Sequence, residues 1–308
     1  MVDKILADQK PADGKPGKKF DRAAADIGNI VNLGHLNVNI ADQRLATHYY
    51  ISALGLTRDP FLNTGVRIMW VNVGVSQFHL PTGEPHLLRG VTGLVIPDRA
   101  ALLARLGEVA KNLEGTKFSF RETNDGVETT CPWGNRITCH EPDPARFGRV
   151  ALGMAYIAFD VRPGSAPGIA RFYRDIMGAP AEVVTDHTGP YAKVAVGDKQ
   201  YYYFRETDAP PVRYDGHHAQ IYIANFSGPH KKLIDLGLIT REFDAYEYRF
   251  NDIIDLDTRE VLFTVEHEVR AQTHPMFGRP LVNRNPAQTN QHFAPGHETW
   301  AWSMEAEA

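Results

Sequence analysis

The chain has 308 residues, 43% of them hydrophobic and 23% charged. That supplies a core and roughly two domains' worth of chain, and excludes a mainly disordered or fibrous protein. A formal net charge of −4 excludes a strongly basic nucleic-acid binder, and no run of about 18 apolar residues offers a membrane span.

Two cysteines, Cys131 and Cys139, are too few for a disulfide framework and are read as free thiols. The first residues lack an apolar signal core, so the expected location is the cytoplasm. Thirteen histidines are the outlier and direct attention to metal or acid–base chemistry.

Residues 1–28 are rich in Lys, Asp, Gly and Pro and read as a flexible tail. The chain then uses one unit four times: an alternating strand, an amphipathic helix and three short strands. The first unit opens with strand Leu33–Ile40 and helix Asp42–Leu54, then places strands at Arg67–Val73 and Ser76–Leu80. The second runs from Gly90–Ile96 through helix Arg99–Leu113 to a hairpin of Val127–Thr130 and Asn135–His140, turning at Trp133-Gly134-Asn135. The third has strand Tyr156–Val161, helix Gly168–Met177 and strands Ala192–Val196 and Gln200–Phe204. The fourth has strand His218–Ile223, helix Pro229–Leu236 and strands Tyr248–Asp255 and Val261–Glu268. His48-Tyr49-Tyr50…Leu54-Gly55 is similar to Arg171-Phe172-Tyr173…Met177-Gly178, as an internal repeat requires. Residues 271–308 return to Pro, Asn and Gln and read as an irregular C-terminal extension.

The repeated unit, together with Leu33-Gly34-His35, Arg171-Phe172-Tyr173-Arg174-Asp175 and Pro132-Trp133-Gly134-Asn135-Arg136-Ile137, resembles the vicinal-oxygen-chelate superfamily. That superfamily includes glyoxalase I, extradiol dioxygenases and bleomycin-resistance proteins. The resemblance covers about residues 30–270. It implies an α+β fold of four βαβββ modules paired into two cupped, barrel-like sheets with helices outside. The corresponding division is 29–148 for a first glyoxalase-like domain and 149–270 for a second. It also implies metal ligands on the first and last strands of a module, a small-molecule substrate and a homodimer.

Strand alternation selects the side chains that face a cavity. His35, Asn37 and Asn39 share one face of the first strand, and His218, Gln220 and Tyr222 share one face of its counterpart in the fourth unit. Each histidine precedes a helix-capping residue, Asp42 or Asn225, by the same spacing. On the last strands, His79 alternates with Phe78 and Leu80, and Glu266 with Val265 and His267. Units one and four therefore each offer a ligand pair, His35 with His79 and His218 with Glu266.

The corresponding positions in unit two are Val91 and Thr138 or His140, and in unit three Tyr156 and Tyr202; neither pair suits a metal. This asymmetry favours pairing unit one with four and two with three. The second cavity would then hold Tyr156, Tyr202 and Phe204 and be filled. Pairing one with two and three with four, as in extradiol dioxygenases, remains the alternative.

Three imidazoles and a carboxylate suit one divalent transition metal, Fe, Mn, Co, Ni or Zn. Glu268 is read as lying behind the ligands or at the surface, and His217 and His267 as structural. Asn37, Trp70, Gln220, Tyr222 and Tyr248 are candidates for substrate contacts, the aromatic ones forming a wall for a flat substrate. Arg279, in the extension, is a candidate for holding an anionic group.

The leading expectation is a metal-dependent enzyme of lyase or isomerase type, with Glu266 as ligand and general base. One alternative is an Fe(II)-dependent ring-cleaving dioxygenase. Another is a metal-free small-molecule binding or resistance protein.

Overall fold

The computed structural model describes residues 21–285 apart from 63, 64, 66 and 211. Most of the expected N-terminal tail and residues 286–308 of the extension lie outside the described residues.

Four modules follow one another along the chain. The first contains β1 (Ile30–Asn37), α1 (Gln43–Ala46, continued as a π-helix over Thr47–Ala53), β2 (Thr57–Arg58), β3 (Ile68–Val73) and β4 (Ser76–Pro81). The second contains β5 (Gly90–Val95), α2 (Arg99–Val109), β6 (Ser119–Thr123), β7 (Gly126–Thr130) and β8 (Arg136–His140). A short α3 (Pro144–Phe147) leads into the third: β9 (Gly153–Val161), α4 (Ala166–Phe172, continued as a π-helix over Tyr173–Met177), β10 (Ala181–Asp186), β11 (Gly189–Gly197) and β12 (Gln200–Glu206). The fourth contains β13 (His218–Ile223), α5 (Ser227–Asp235), β14 (Ile239–Asp244), β15 (Glu247–Ile254) and β16 (Val261–Ala271).

The helices form where the apolar positions recur at helical spacing. Ala46, Tyr49, Tyr50 and Ala53 are buried along α1 and its continuation, and Leu102, Leu106 and Val109 along α2. Asp42 accepts from the Leu45 backbone amide at 2.9 Å and Asp98 from that of Ala101 at 2.9 Å, so both helices start on a capping carboxylate. Gly178, with φ +68°, ends the π-helical turn after α4 in a left-handed conformation open to glycine. The two helices with similar sequences both change to π geometry, and both do so around their paired aromatic residues, Tyr49-Tyr50 and Phe172-Tyr173.

There are two eight-stranded sheets. One has the order β14-β15-β16-β13-β1-β4-β3-β2, the other β10-β11-β12-β9-β5-β8-β7-β6. Module one therefore pairs with module four and module two with module three, through the antiparallel contacts β1–β13 and β5–β9. Each sheet takes one module from either side of residue 148, so a cut there divides both sheets. The sheets are cupped and not closed into barrels.

The helices lie behind the cups. Tyr50 packs on Phe78 of the first sheet, and Tyr49 reaches Thr129 of the second. Phe172 packs on Phe250 of the first sheet and Tyr173 on Phe204 of the second.

One polar side chain also ties the sheets together. Gln200 Oε1 accepts from the Leu33 amide at 3.0 Å, while its Nε2 donates to Ser76 Oγ and to the Met154 carbonyl, both at 3.0 Å. No described helix is long and apolar enough to cross a membrane.

Candidate metal centre and substrate cavity

The register of the first sheet assembles its concave face. His35 on β1 lies opposite Gln220 on β13 and beside Gln77 on β4, and Gln220 lies beside Glu268 on β16. Across β15, Arg249 faces Glu268 and Glu247 faces Arg270. One strand position along, Asn37 lies between His218 and His79, with Glu266 beyond the first and Trp70 beyond the second.

A bulge in β1 between Leu33 and His35 sets this register. The extra residue is Gly34, and a Cβ there would lie 1.8 Å from Gln220 Oε1. Only glycine leaves Gln220 its place over the strand.

His35, His218 and Glu268 each offer one donor atom, and the three atoms lie within 4.8 Å of one another. His218 Nε2 is 3.2 Å and His35 Nε2 3.8 Å from Glu268 Oε2. His35 Nε2 is buried without a hydrogen-bond partner among the described residues, an expensive state for a ring nitrogen unless something else binds it.

Burial, followed by the nearby charges of His79, Arg270, His218 and Arg249, holds the His35 pKa well below the usual histidine value. The ring is then neutral and its lone pair available. Burial pushes the Glu268 carboxyl upward. The hydrogen bond from His218 and the charges of Arg270, His218 and Arg249 outweigh it and bring the pKa down to about 2. Neutral imidazole and ionised carboxylate are the forms that ligate metals. Two nitrogens and one oxygen within this span fit one transition metal.

Two arginines hold the carboxylates in place. Arg249 Nη2 is 2.6 Å from Glu268 Oε2 and its Nη1 is 2.7 Å from Glu266 Oε1. Arg270 Nη2 is 2.7 Å from Glu268 Oε1, and its Nε donates to Glu247 Oε2 at 3.0 Å. Outer contacts of this kind orient ligating carboxylates.

The structure revises several expectations. Glu268, expected behind the ligands or at the surface, is 2% exposed and stands between the two histidines. Glu266 lies beside His218, with Oε1 3.3 Å from Nδ1, and is a quarter exposed. His79 is outside the trio: its ring is stacked on His35 at 3.6 Å and capped by Trp70 at 3.7 Å, and Nε2 is 3.2 Å from Gln77 Oε1. Trp70 therefore meets His79 and does not reach the cavity described below.

Tyr248, expected at the substrate wall, is instead part of the core. Alternation on β15 points Glu247 and Arg249 to the concave face and Tyr248 to the helix side, against Phe226 at 4.9 Å and His230 at 4.8 Å. His267 is core too, stacked on Phe250 at 4.3 Å. Sequence reasoning missed Arg249 and Arg270, and placed Gln77 on the face of His79 without giving it a role. Their signal was the same two-residue alternation: Gln77 shares a face with His79, Arg270 with Glu266 and Glu268, and Arg249 with Glu247.

A cavity of about 680 Å³ adjoins the centre. Of the trio, His35 lines it, together with Gln220, Tyr222 and Arg270; Arg279, Phe277 and Leu281 of the C-terminal segment form its roof. Asn283 fastens that segment, its side chain accepting from the Gly74 amide at 3.0 Å and donating to the Gly74 carbonyl at 2.9 Å. Asn37 does not line the cavity.

The second sheet's cup is not filled. It encloses about 640 Å³ lined by Tyr156, Tyr191, Tyr201 and Tyr203. Tyr202 and Phe204, expected in it, alternate to the other face and are fully buried behind the sheet. Tyr156 lies over Gly93, where a Cβ would be 2.1 Å from its ring, and its hydroxyl is 2.9 Å from His140 Nε2.

No protein-family model matches the chain, and no curated protein matches it. Solved structures do. Glyoxalase I from Zea mays aligns over 80% of this chain and 93% of its own, with TM-score 0.51 and 11% identity. A protein from Bacillus subtilis subsp. subtilis str. 168 named as a candidate dioxygenase aligns over 80% and 86%, with TM-score 0.52 and 14% identity. The chain has the vicinal-oxygen-chelate fold. At these identities the likeness concerns architecture, and this fold carries many chemistries.

Proposed function

We propose that the chain is a metal-dependent enzyme acting on a small oxygen-bearing organic substrate, with His35, His218 and Glu268 holding one divalent transition metal. The observation that carries this reading is the buried His35 Nε2, without a hydrogen-bond partner among the described residues, 3.8 Å from the Glu268 carboxylate that also meets His218. Bound there, the metal would supply Lewis acidity toward substrate oxygens.

The chain's own residues do the rest. Arg249 and Arg270 keep Glu268 ionised and fix its direction. The segment around Phe277 and Leu281 covers the cavity and keeps water from the substrate. Gln220 and Tyr222 line the floor beside His35.

Two histidines and one carboxylate are the donor set used by non-haem Fe(II) oxygenases. With His79 outside the trio, oxidation of the substrate, including ring cleavage, is the reading this geometry favours. Proton transfer is the second reading. It is favoured by Glu266, a partly exposed carboxylate whose Oε1 lies 3.3 Å from His218 Nδ1, beside the centre.

Elemental analysis of protein purified without added metal, followed by oxygen uptake with catechol-type substrates, tests the proposal. Iron with uptake supports the oxygenase. Another transition metal without uptake supports proton transfer. No metal, even after reconstitution, overturns both and leaves the binding protein.

A further inference from the structure

The roof of the large cavity carries an arginine with unspent donors. Arg279 Nη2 bonds Asp59 Oδ2 at 2.5 Å, while Nε and Nη1 are buried without partners among the described residues. Asp59 is itself fixed. Its Oδ1 accepts from the Phe61 and Leu62 amides at 2.9 and 3.0 Å, and its Oδ2 also accepts from Gln77 Nε2 at 3.0 Å. It therefore holds Arg279 over the cavity as a positioning residue.

Across the same cavity, both polar atoms of Gln220 are also buried and unpartnered among the described residues. A guanidinium only donates, so what completes Arg279 must accept, and an anionic oxygen is the strongest acceptor. Gln220 can give one hydrogen bond and take another. Around Arg279 the roof is apolar, formed by Met276, Phe277, Pro280 and Leu281, while His35 and Arg270 add polar groups to the lining.

We infer that the substrate is an organic acid with an apolar body, its carboxylate bound by Arg279 and a further polar group by Gln220. This rests on the reading of the cavity as the substrate site. It assigns the substrate's chemical class and gives the C-terminal segment a direct part in recognition. A lid that only excluded water would need no arginine, whereas Arg279 lines the cavity and its pair with Asp59 engages only one of its donor nitrogens.

The test uses full-length protein freed of metal by chelation and desalting, so that it reads the acid subsite and not metal binding. Benzoate and its neutral counterpart benzamide are titrated by calorimetry. Benzoate should bind at least about tenfold more tightly, the effect of one charge-assisted hydrogen bond. Arg279→Gln should bring the two affinities together, and Arg279→Lys should restore part of the preference. Gln220→Leu should weaken both ligands.

Loosening of the roof alone would weaken benzoate and benzamide equally and leave their ratio unchanged, which would overturn the assignment. Equal affinities in the parent protein would overturn it as well. Either failure would leave the metal content of untreated protein, and the proposed function with it, standing.

Discussion

The imidazole of His35 lies 3.6 Å from that of His79, the two planes 23° from parallel. With Trp70 on the far side of His79, the three rings form a stack in which His79 is the middle layer. His79 thus supports the face of His35, and its Nε2 is already engaged with Gln77 Oε1. His79→Phe keeps an aromatic layer of similar size. It should retain metal at the parent stoichiometry and lose less than about 1.5 kcal/mol of stability. Loss of metal by elemental analysis would show that His79 is a ligand.

Gln200 should be the most sensitive polar residue outside the candidate site. It satisfies the Leu33 amide, Ser76 Oγ and the Met154 carbonyl at the junction of the two sheets, all buried. Gln200→Leu strands those groups and should cost roughly 2–3 kcal/mol, read from the urea midpoint. A shift below about 0.5 kcal/mol, the ordinary effect of a surface change, would mean that the junction does not depend on this side chain.

Tyr248 separates core from cavity. Its hydroxyl is buried without a partner among the described residues, while its ring packs on Phe226 and His230. Tyr248→Phe should therefore cost no stability, and Tyr248→Ala about 3–5 kcal/mol. Both should bind small ligands like the parent protein, and a ligand-specific defect in Tyr248→Phe would return this residue to the substrate wall.

Cys131 and Cys139 are free and buried. Burial raises both thiols, the second to about 12. Neither should react with a thiol reagent in the native protein, and both should react once it is unfolded. Rapid native labelling of either would contradict the packing around the Trp133–Arg136 turn.

Much of the fold was legible because two-residue and 3.6-residue periods directly report which face is buried. The strands carrying His35, His79, His218 and Glu266 followed from that, and the asymmetry that paired module one with module four followed once the resemblance implied ligands on the first and last strands of a module. The edge strands β6, β10 and β14 were not individually placed. They are largely solvent-exposed, and their patterns carry little apolar signal.

Glu268 was read as lying behind the ligands or at the surface, and the structure buries it beside His35 and His218. Alternation puts Glu266 and Glu268 on the same face, and choosing between them requires the β1–β13 register. The bulge at Gly34 sets that register by bringing His35 opposite Gln220, the neighbour of Glu268. A glycine one residue before the first histidine was the available sign. The C-terminal roof could not be placed because irregular segments have no period, although Pro and Gly marked it as having a fixed path.

On the proposed reading Glu268, and not Glu266, completes the metal centre with His35 and His218. The direct test is the metal content of the parent protein, Glu268→Gln and Glu266→Gln, each purified alike and reconstituted with the metal found in the parent. Near one ion per chain is expected in the parent and in Glu266→Gln, and loss of it in Glu268→Gln. Metal retained by Glu268→Gln and lost from Glu266→Gln would contradict that assignment.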